Sequence, residues 1–190
     1  MVVRAEGTLS PMATIQPTSA VIVRIPIPHS IARIRRARVH DATLDVPPHV
    51  TILYPFLPPD RLDAAVRREL AEIAAAHGGF DARFTRVGRF PGLLYLAPEA
   101  AEPFVALTEA CAERFPEYPP YGGLHDGIVP HLTVVETEGE PTDGLVSRLE
   151  GALPFDYRVR AIEVITPSEA GPWRLRWRLP LGAGRETVRR

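Results

Sequence analysis

Apolar and polar positions along the chain change period several times. Residues 19–26, SAVIVRIP, form a short β-branched apolar run that predicts a buried strand. Residues 28–38 set Ile31 and Ile34 among arginines behind Pro28, which predicts a helix with proline near its first turn. Pro47-Pro48 forces an extended approach into residues 49–56, HVTILYPF, a second strand. After Pro58-Pro59, Asp60 is the expected N-cap of a helix striped by Leu62, Ala65, Val66, Leu70 and Ile73. Gly78-Gly79 ends it. Residues 80–90 and 93–96 read as a hairpin turning at Pro91-Gly92, and residues 102–115 as another helix.

Residues 116–127 form a long loop rich in Pro, Gly and Tyr, of a length often given to lids. Pro130 leads into a strand at 131–136, a helix follows at 142–150, and strands at 157–165 and 173–179 close the chain. The last, WRLRWRL, alternates strictly, which puts Trp173, Leu175, Trp177 and Leu179 on one face and Arg174, Arg176 and Arg178 on the other. The arginine face is either solvated or a row that leads RNA phosphates to a groove. This order is an α+β pattern with two halves of similar content. Residues 19–180 are expected to form one domain, preceded by a flexible leader at 1–18 and followed by a loose tail at 181–190.

Composition narrows the classes. A net charge of -1 excludes the strongly basic balance of a protein that coats nucleic acid, but leaves room for a nucleotide or a short RNA end in one pocket. All 22 basic residues are arginine, which suits bidentate phosphate contacts but also follows from codon preference. The lone Cys111 rules out an internal disulfide, and its helical spacing with Phe104, Leu107 and Phe115 makes it core packing rather than a nucleophile. No apolar run reaches the roughly 18–20 residues of a membrane span, and residues 1–18 lack the apolar centre of a signal peptide. The expected compartment is the cytoplasm, with no membrane and no protein partner inferred.

The chemistry concentrates in two matching segments. Residues 48–53 read PHVTIL and residues 130–135 read PHLTVV: Pro, His, aliphatic, Thr, aliphatic, aliphatic in both. A shuffled chain of this composition shows about 0.4 His-x-Thr pairs, so two with the same neighbours are hard to obtain by accident. In a strand, positions i and i+2 share a face, so His49 projects with Thr51 and His131 with Thr133. One neutral imidazole can take a proton from an attacking oxygen while a protonated one supplies the leaving oxygen. The threonine hydroxyls can hold non-bridging phosphate oxygens between the rings. This chemistry needs no cofactor.

The PHVT and PHLT pair resembles the double His-x-Thr/Ser signature of the 2H phosphoesterase superfamily, and within it the bacterial 2′-5′ RNA ligase branch. The similarity covers roughly residues 19–180. It implies a bilobal fold of two pseudo-symmetric antiparallel-sheet lobes with outer helices flanking a central groove. It also implies hydrolysis of 2′,3′-cyclic phosphates on RNA ends or cyclic nucleotides, with 2′-5′ RNA joining or hydrolysis in some members. His49 and His131 match the family's catalytic histidines, and Thr51 and Thr133 its hydroxyl positions.

Other residues weigh less. Phe90 is either core or a surface on which a base stacks. Tyr54 is expected on the face opposite His49 unless the strand bends at Pro55. His125-Asp126 is an exposed loop pair or reaches the groove, while His29, His40 and His77 read as surface or capping residues. A metal held by His125, Asp126 and His131 is a weak rival, since no HExxH or CxxC spacing exists. Against the enzyme stand a nucleotide or RNA-end binding module of the same fold, a partner-docking role for loop 116–127, and a purely structural role for His49 and His131.

Overall fold

A computed structural model describes residues 18–124, 127–137, 139, 142–168 and 171–182. Its strands are β1 Ser19–Arg24, β2 His49–Phe56, β3 Phe80–Phe90, β4 Leu93–Pro98, β5 Leu132–Glu136, β6 Phe155–Val159, β7 Ala161–Pro167 and β8 Trp173–Pro180. Its helices are α1 His29–Arg38, α2 His40–Thr43, α3 Ala64–Ala76, α4 Glu102–Arg114 and α5 Asp143–Glu150. The strands make two four-stranded antiparallel sheets, in the orders β2-β1-β7-β8 and β5-β4-β3-β6. The α+β, two-sheet expectation holds. Of the leader expected at residues 1–18, residues 1–17 lie outside the described residues, as do residues 183–190 of the tail expected at 181–190.

The internal symmetry is a strand-helix-strand unit used twice, β1-α1-β2 and β4-α4-β5. Each unit ends in a His-x-Thr segment on the edge strand of its sheet. The units interlock: α1 packs on β5 of the opposite sheet, α4 packs on β2, and β2 and β5 touch. Each motif strand is thus backed by a helix of the other half. One continuous core follows, with Val50, Ile52 and Leu53 of β2 and Leu132, Val134 and Val135 of β5 packed with Leu70, Phe104 and Leu107 from the helices. Phe84 and Phe155 stack at 5.1 Å within the second sheet. A second, smaller apolar cluster of Ala20, Ile22, Val46 and Ile165 lies on the other face of the first sheet.

Four local expectations need correction. The cap of α3 is Asp63, whose Oδ1 accepts from the amides of Ala65 at 2.8 Å and Val66 at 2.9 Å; Asp60 sits in a short 3-10 turn at Pro59–Arg61. Only a residue with extended backbone directly before the helix can make that bond, and Asp63 has it. The single strand expected at 157–165 is two strands, broken at Arg160. β6 pairs with β3 and β7 with β1, so the chain crosses from one sheet to the other at that residue. The remaining two corrections concern bulges that reverse side-chain parity.

In β8, Val164 pairs with Trp177 but Ile165 pairs with Leu175, which leaves Arg176 as the extra residue. Trp177 and Leu179 therefore pack on the main core, whereas Trp173 packs on the smaller cluster and Leu175 is 55% exposed. The four residues do not share one face. In β2, Ile22 pairs with Thr51 and Val21 with Leu53, so Ile52 is the extra residue. Tyr54 then returns to the face of His49 and Thr51 rather than the opposite one, and all three line one cleft.

Candidate active site

The two motif strands carry the same device. Thr133 pairs with Tyr95 and Val135 with Leu94, so Val134 is a bulge residue in β5 as Ile52 is in β2. Burial repeats in step from each histidine onwards: half-buried His, buried aliphatic, half-buried Thr, two buried aliphatics, then exposed Tyr54 or Glu136. The paired aliphatics after each threonine let both bulge residues stay in the core. Both histidines are oriented alike. Nδ1 of His49 lies 2.7 Å from the Pro47 carbonyl, and Nδ1 of His131 lies 2.7 Å from the Val129 carbonyl. A carbonyl only accepts, so each Nδ1 carries the hydrogen and proton chemistry falls to Nε2.

His49 is pushed down to about 4. Desolvation is the main cause, the Pro47 carbonyl opposes it, and the charges of Arg35 and His131 add to the depression. That His131 acts on His49 places the two rings within electrostatic reach of each other. His49 is thus neutral near pH 7, with an acceptor Nε2.

Aromatic rings enclose His131. Phe90 meets it edge-on at 5.3 Å, Tyr95 at 5.5 Å, and Tyr121 lies nearly parallel at 6.3 Å. Phe90 and Tyr95 stack at 4.5 Å. Tyr121 also hydrogen-bonds Thr51, so one side chain links both motifs; burial raises its phenol pKa and that bond lowers it. Tyr121 sits at φ 52, ψ 31, a left-handed conformation that a non-glycine side chain resists. Its loop is held by Tyr118, which packs edge-on against Phe56 of β2 at 5.7 Å and accepts from Arg61 at 3.1 Å.

Arg35 ties the halves together. It is 4% exposed; Nη1 donates to the Val46 carbonyl at 3.1 Å and Nε to the Thr133 carbonyl at 3.3 Å. Desolvation lowers its pKa, and Asp41 and Glu136 oppose that shift. Glu136 in turn accepts from the His40 amide at 2.7 Å.

Of the residues singled out from sequence, the fold gathers His49, Thr51, Tyr54, His131, Thr133 and Phe90 about the two motif strands. Arg176 lies in β8, at the sheet edge opposite β2, with its guanidinium 5.6 Å from the Trp177 ring centre. Three strand spacings, roughly 14 Å, separate the two edges. His125 and Asp126 lie outside the described residues. Among the described residues no three His, Cys, Asp or Glu side chains group as a metal site. Burial pushes the Cys111 thiol up to about 12, so it stays protonated. Sequence reasoning missed Arg35, Tyr95 and Tyr121. Only Gly88 gave a signal for one of them: a Cβ there would collide with the Tyr95 ring across the hairpin.

Two interlocked strand-helix-strand units, each ending in a His-x-Thr edge strand, with those two strands in contact, define a two-histidine protein of duplicated α+β architecture. The family model of the 2′-5′ RNA ligase superfamily matches residues 23–171, and the chain belongs to that superfamily, a branch of the 2H phosphoesterases. Similar solved structures include TT0787 of Thermus thermophilus, at 18% identity and TM-score 0.59, covering 88% of this chain and 100% of that one. Escherichia coli LigT complexed with 3′-AMP is similar at 16% identity and TM-score 0.55, covering 87% and 98%. A further protein described as a phosphoesterase matches at 19% identity and TM-score 0.53, covering 87% and 98%. No match was found among curated proteins. At these identities the structural likeness concerns the fold, while superfamily membership supports a phosphoesterase-type enzyme. No helix among the described residues is long and apolar enough to cross a membrane.

Proposed function

We propose that the protein is a cyclic phosphodiesterase acting on 2′,3′-cyclic phosphate RNA ends or cyclic nucleotides by metal-independent two-histidine acid–base catalysis. The observation that carries this reading is the paired orientation of the histidines, each with Nδ1 on a backbone carbonyl two residues back. His49, held neutral by desolvation, is the base: its Nε2 takes the proton of the attacking water. His131 is the acid and gives a proton to the ribose oxygen that leaves phosphorus. Thr51 and Thr133 hold the non-bridging oxygens, where charge builds in the transition state. With the 5′-hydroxyl of a second strand in place of water, the same steps join the ends: His49 takes its proton, the 5′ oxygen bonds phosphorus, and the 3′ oxygen leaves with a proton from His131, so that a 2′-5′ link remains. The complexes of E. coli LigT with 3′-AMP, ATP and NADP+ support a nucleotide as the substrate class.

The test is turnover of 2′,3′-cyclic nucleotides and a cyclic-phosphate-ended RNA, followed by phosphorus NMR in the presence of a chelator. His49→Ala and His131→Ala are each expected to lower kcat/KM by about 10²–10⁴-fold. Full activity in either variant, or loss of activity with chelator in the wild type, would overturn the assignment.

A further inference from the structure

We infer that the cleft on the His49 side of the groove is a nucleobase subsite that prefers guanine, an inference that rests on a nucleotide phosphate lying between the two histidines. The cleft has a volume of about 210 Å³ and opens beside His49 and Thr51. Its floor is Ala20, Val46 and Ile165, all buried and none polar. These residues belong to the smaller apolar cluster on the groove face of the first sheet, away from the main core. An apolar floor open to a groove is what a flat ring covers well.

The walls are aromatic. Tyr54 reaches the cleft only because of the bulge at Ile52, and it remains 41% exposed. Trp173 reaches it because of the bulge at Arg176, and its amide donates to the Leu44 carbonyl at 2.7 Å, which fixes the start of β8 over the cleft. Both departures from strict alternation thus deliver an aromatic ring to the same place. Bases of unpaired nucleotides stack on such rings and are told apart by hydrogen bonds to their edges.

Among the described residues of the lining, the one acidic group is Asp41. Its carbonyl accepts from the amides of Leu44 and Val46, both at 3.1 Å, so the turn that carries it is fixed. Its carboxylate takes part in no hydrogen bond among the described residues, and the buried Arg35 is the cation it feels. An ionised carboxylate only accepts. Guanine alone among the four bases offers two adjacent donors on one edge, N1–H and the N2 amine, which match both carboxylate oxygens. Adenine and cytosine offer one amine beside an acceptor nitrogen, and uracil offers one N–H between two carbonyls that the carboxylate repels.

The experiment is calorimetric binding of 3′-GMP, 3′-AMP, 3′-CMP and 3′-UMP to the full chain, so that no turnover is required. Wild type should bind 3′-GMP at least about 10-fold more tightly than 3′-UMP, since charge-assisted pairs are the strong hydrogen bonds. In Asp41→Asn the four ligands should fall within about threefold of one another, 3′-GMP binding more weakly and 3′-UMP more tightly as the repulsion of its carbonyls is removed. Trp173→Ala should weaken all four, and unchanged thermal melting of Asp41→Asn confirms that the fold survives this exposed change. Equal affinities in the wild type, a guanine preference that survives Asp41→Asn, or no binding of any ligand would overturn the subsite. Cyclic-phosphate turnover without base selectivity sinks the subsite alone; guanine-selective binding without turnover sinks the catalytic reading alone.

Discussion

His49 carries two pH dependences of one cause. Its folded pKa, about 4, lies below the ordinary value of 6.5, because burial penalises the charged ring. Between those values the unfolded chain binds more protons than the folded one, so stability is complete above the unfolded pKa and is lost as pH falls through the window. His49→Asn removes that contribution. The drop in Tm between pH 7 and pH 5 should be smaller in His49→Asn than in the wild type, as calorimetric melting at the two pH values would show; an equal drop contradicts the burial of the ring. In catalysis, the acid limb of kcat/KM set by this base should fall near pH 4 rather than near 6.5, read from a full pH profile on a cyclic nucleotide.

The β3–β4 hairpin is the element that builds the wall behind His131. Gly88 faces Tyr95 across the ladder, and the absence of a side chain there lets the Tyr95 ring lie flat, stacked on Phe90 and edge-on to His131. Gly88→Ala is expected to push that ring off its seat at a cost of about 1–3 kcal/mol of stability. The larger effect should be on kcat, about 10-fold or more, because a displacement of an ångström at a reacting group is expensive. Denaturant melting and steady-state kinetics separate the two; an unchanged kcat would show that the hairpin does not position His131. Bulges do comparable work in β2, β5 and β8. Their signal in the sequence is weak: two consecutive aliphatics after each threonine, and a Trp-Arg-Leu run whose alternation looked unbroken.

At the scale of the whole molecule, the site depends on the grip between the two halves. Arg35 reaches from α1 to carbonyls on either side, at Val46 and at Thr133, and its charge adds to the depression of His49. Arg35→Met is expected to leave both carbonyls without that donor and to cost about 1–3 kcal/mol in urea unfolding. It should also shift the acid limb of kcat/KM upward, because a positive neighbour of His49 is gone, and lower kcat by loosening the spacing of the motifs. A stability loss with no movement of the pH profile would make Arg35 merely structural.

The repeated Pro-His-aliphatic-Thr-aliphatic-aliphatic pattern by itself determined the two motif strands, the faces of His49, Thr51, His131 and Thr133, and the duplicated α+β character, because a period of two and a proline before it act locally. The helices and the hairpin were legible for the same reason. Whether the motif strands meet was a matter of tertiary structure: α1 and α4 are exchanged between halves, and nothing local encodes which sheet a helix covers. The partners of Arg35, the Tyr121 bridge between Thr51 and His131, and the arrival of Tyr54 and Trp173 in one cleft belong to the same level. Each depends on contacts between residues distant in the chain, or on the partner strand that decides where a bulge falls. Side-chain parity past a bulge is a property of the ladder rather than of either strand.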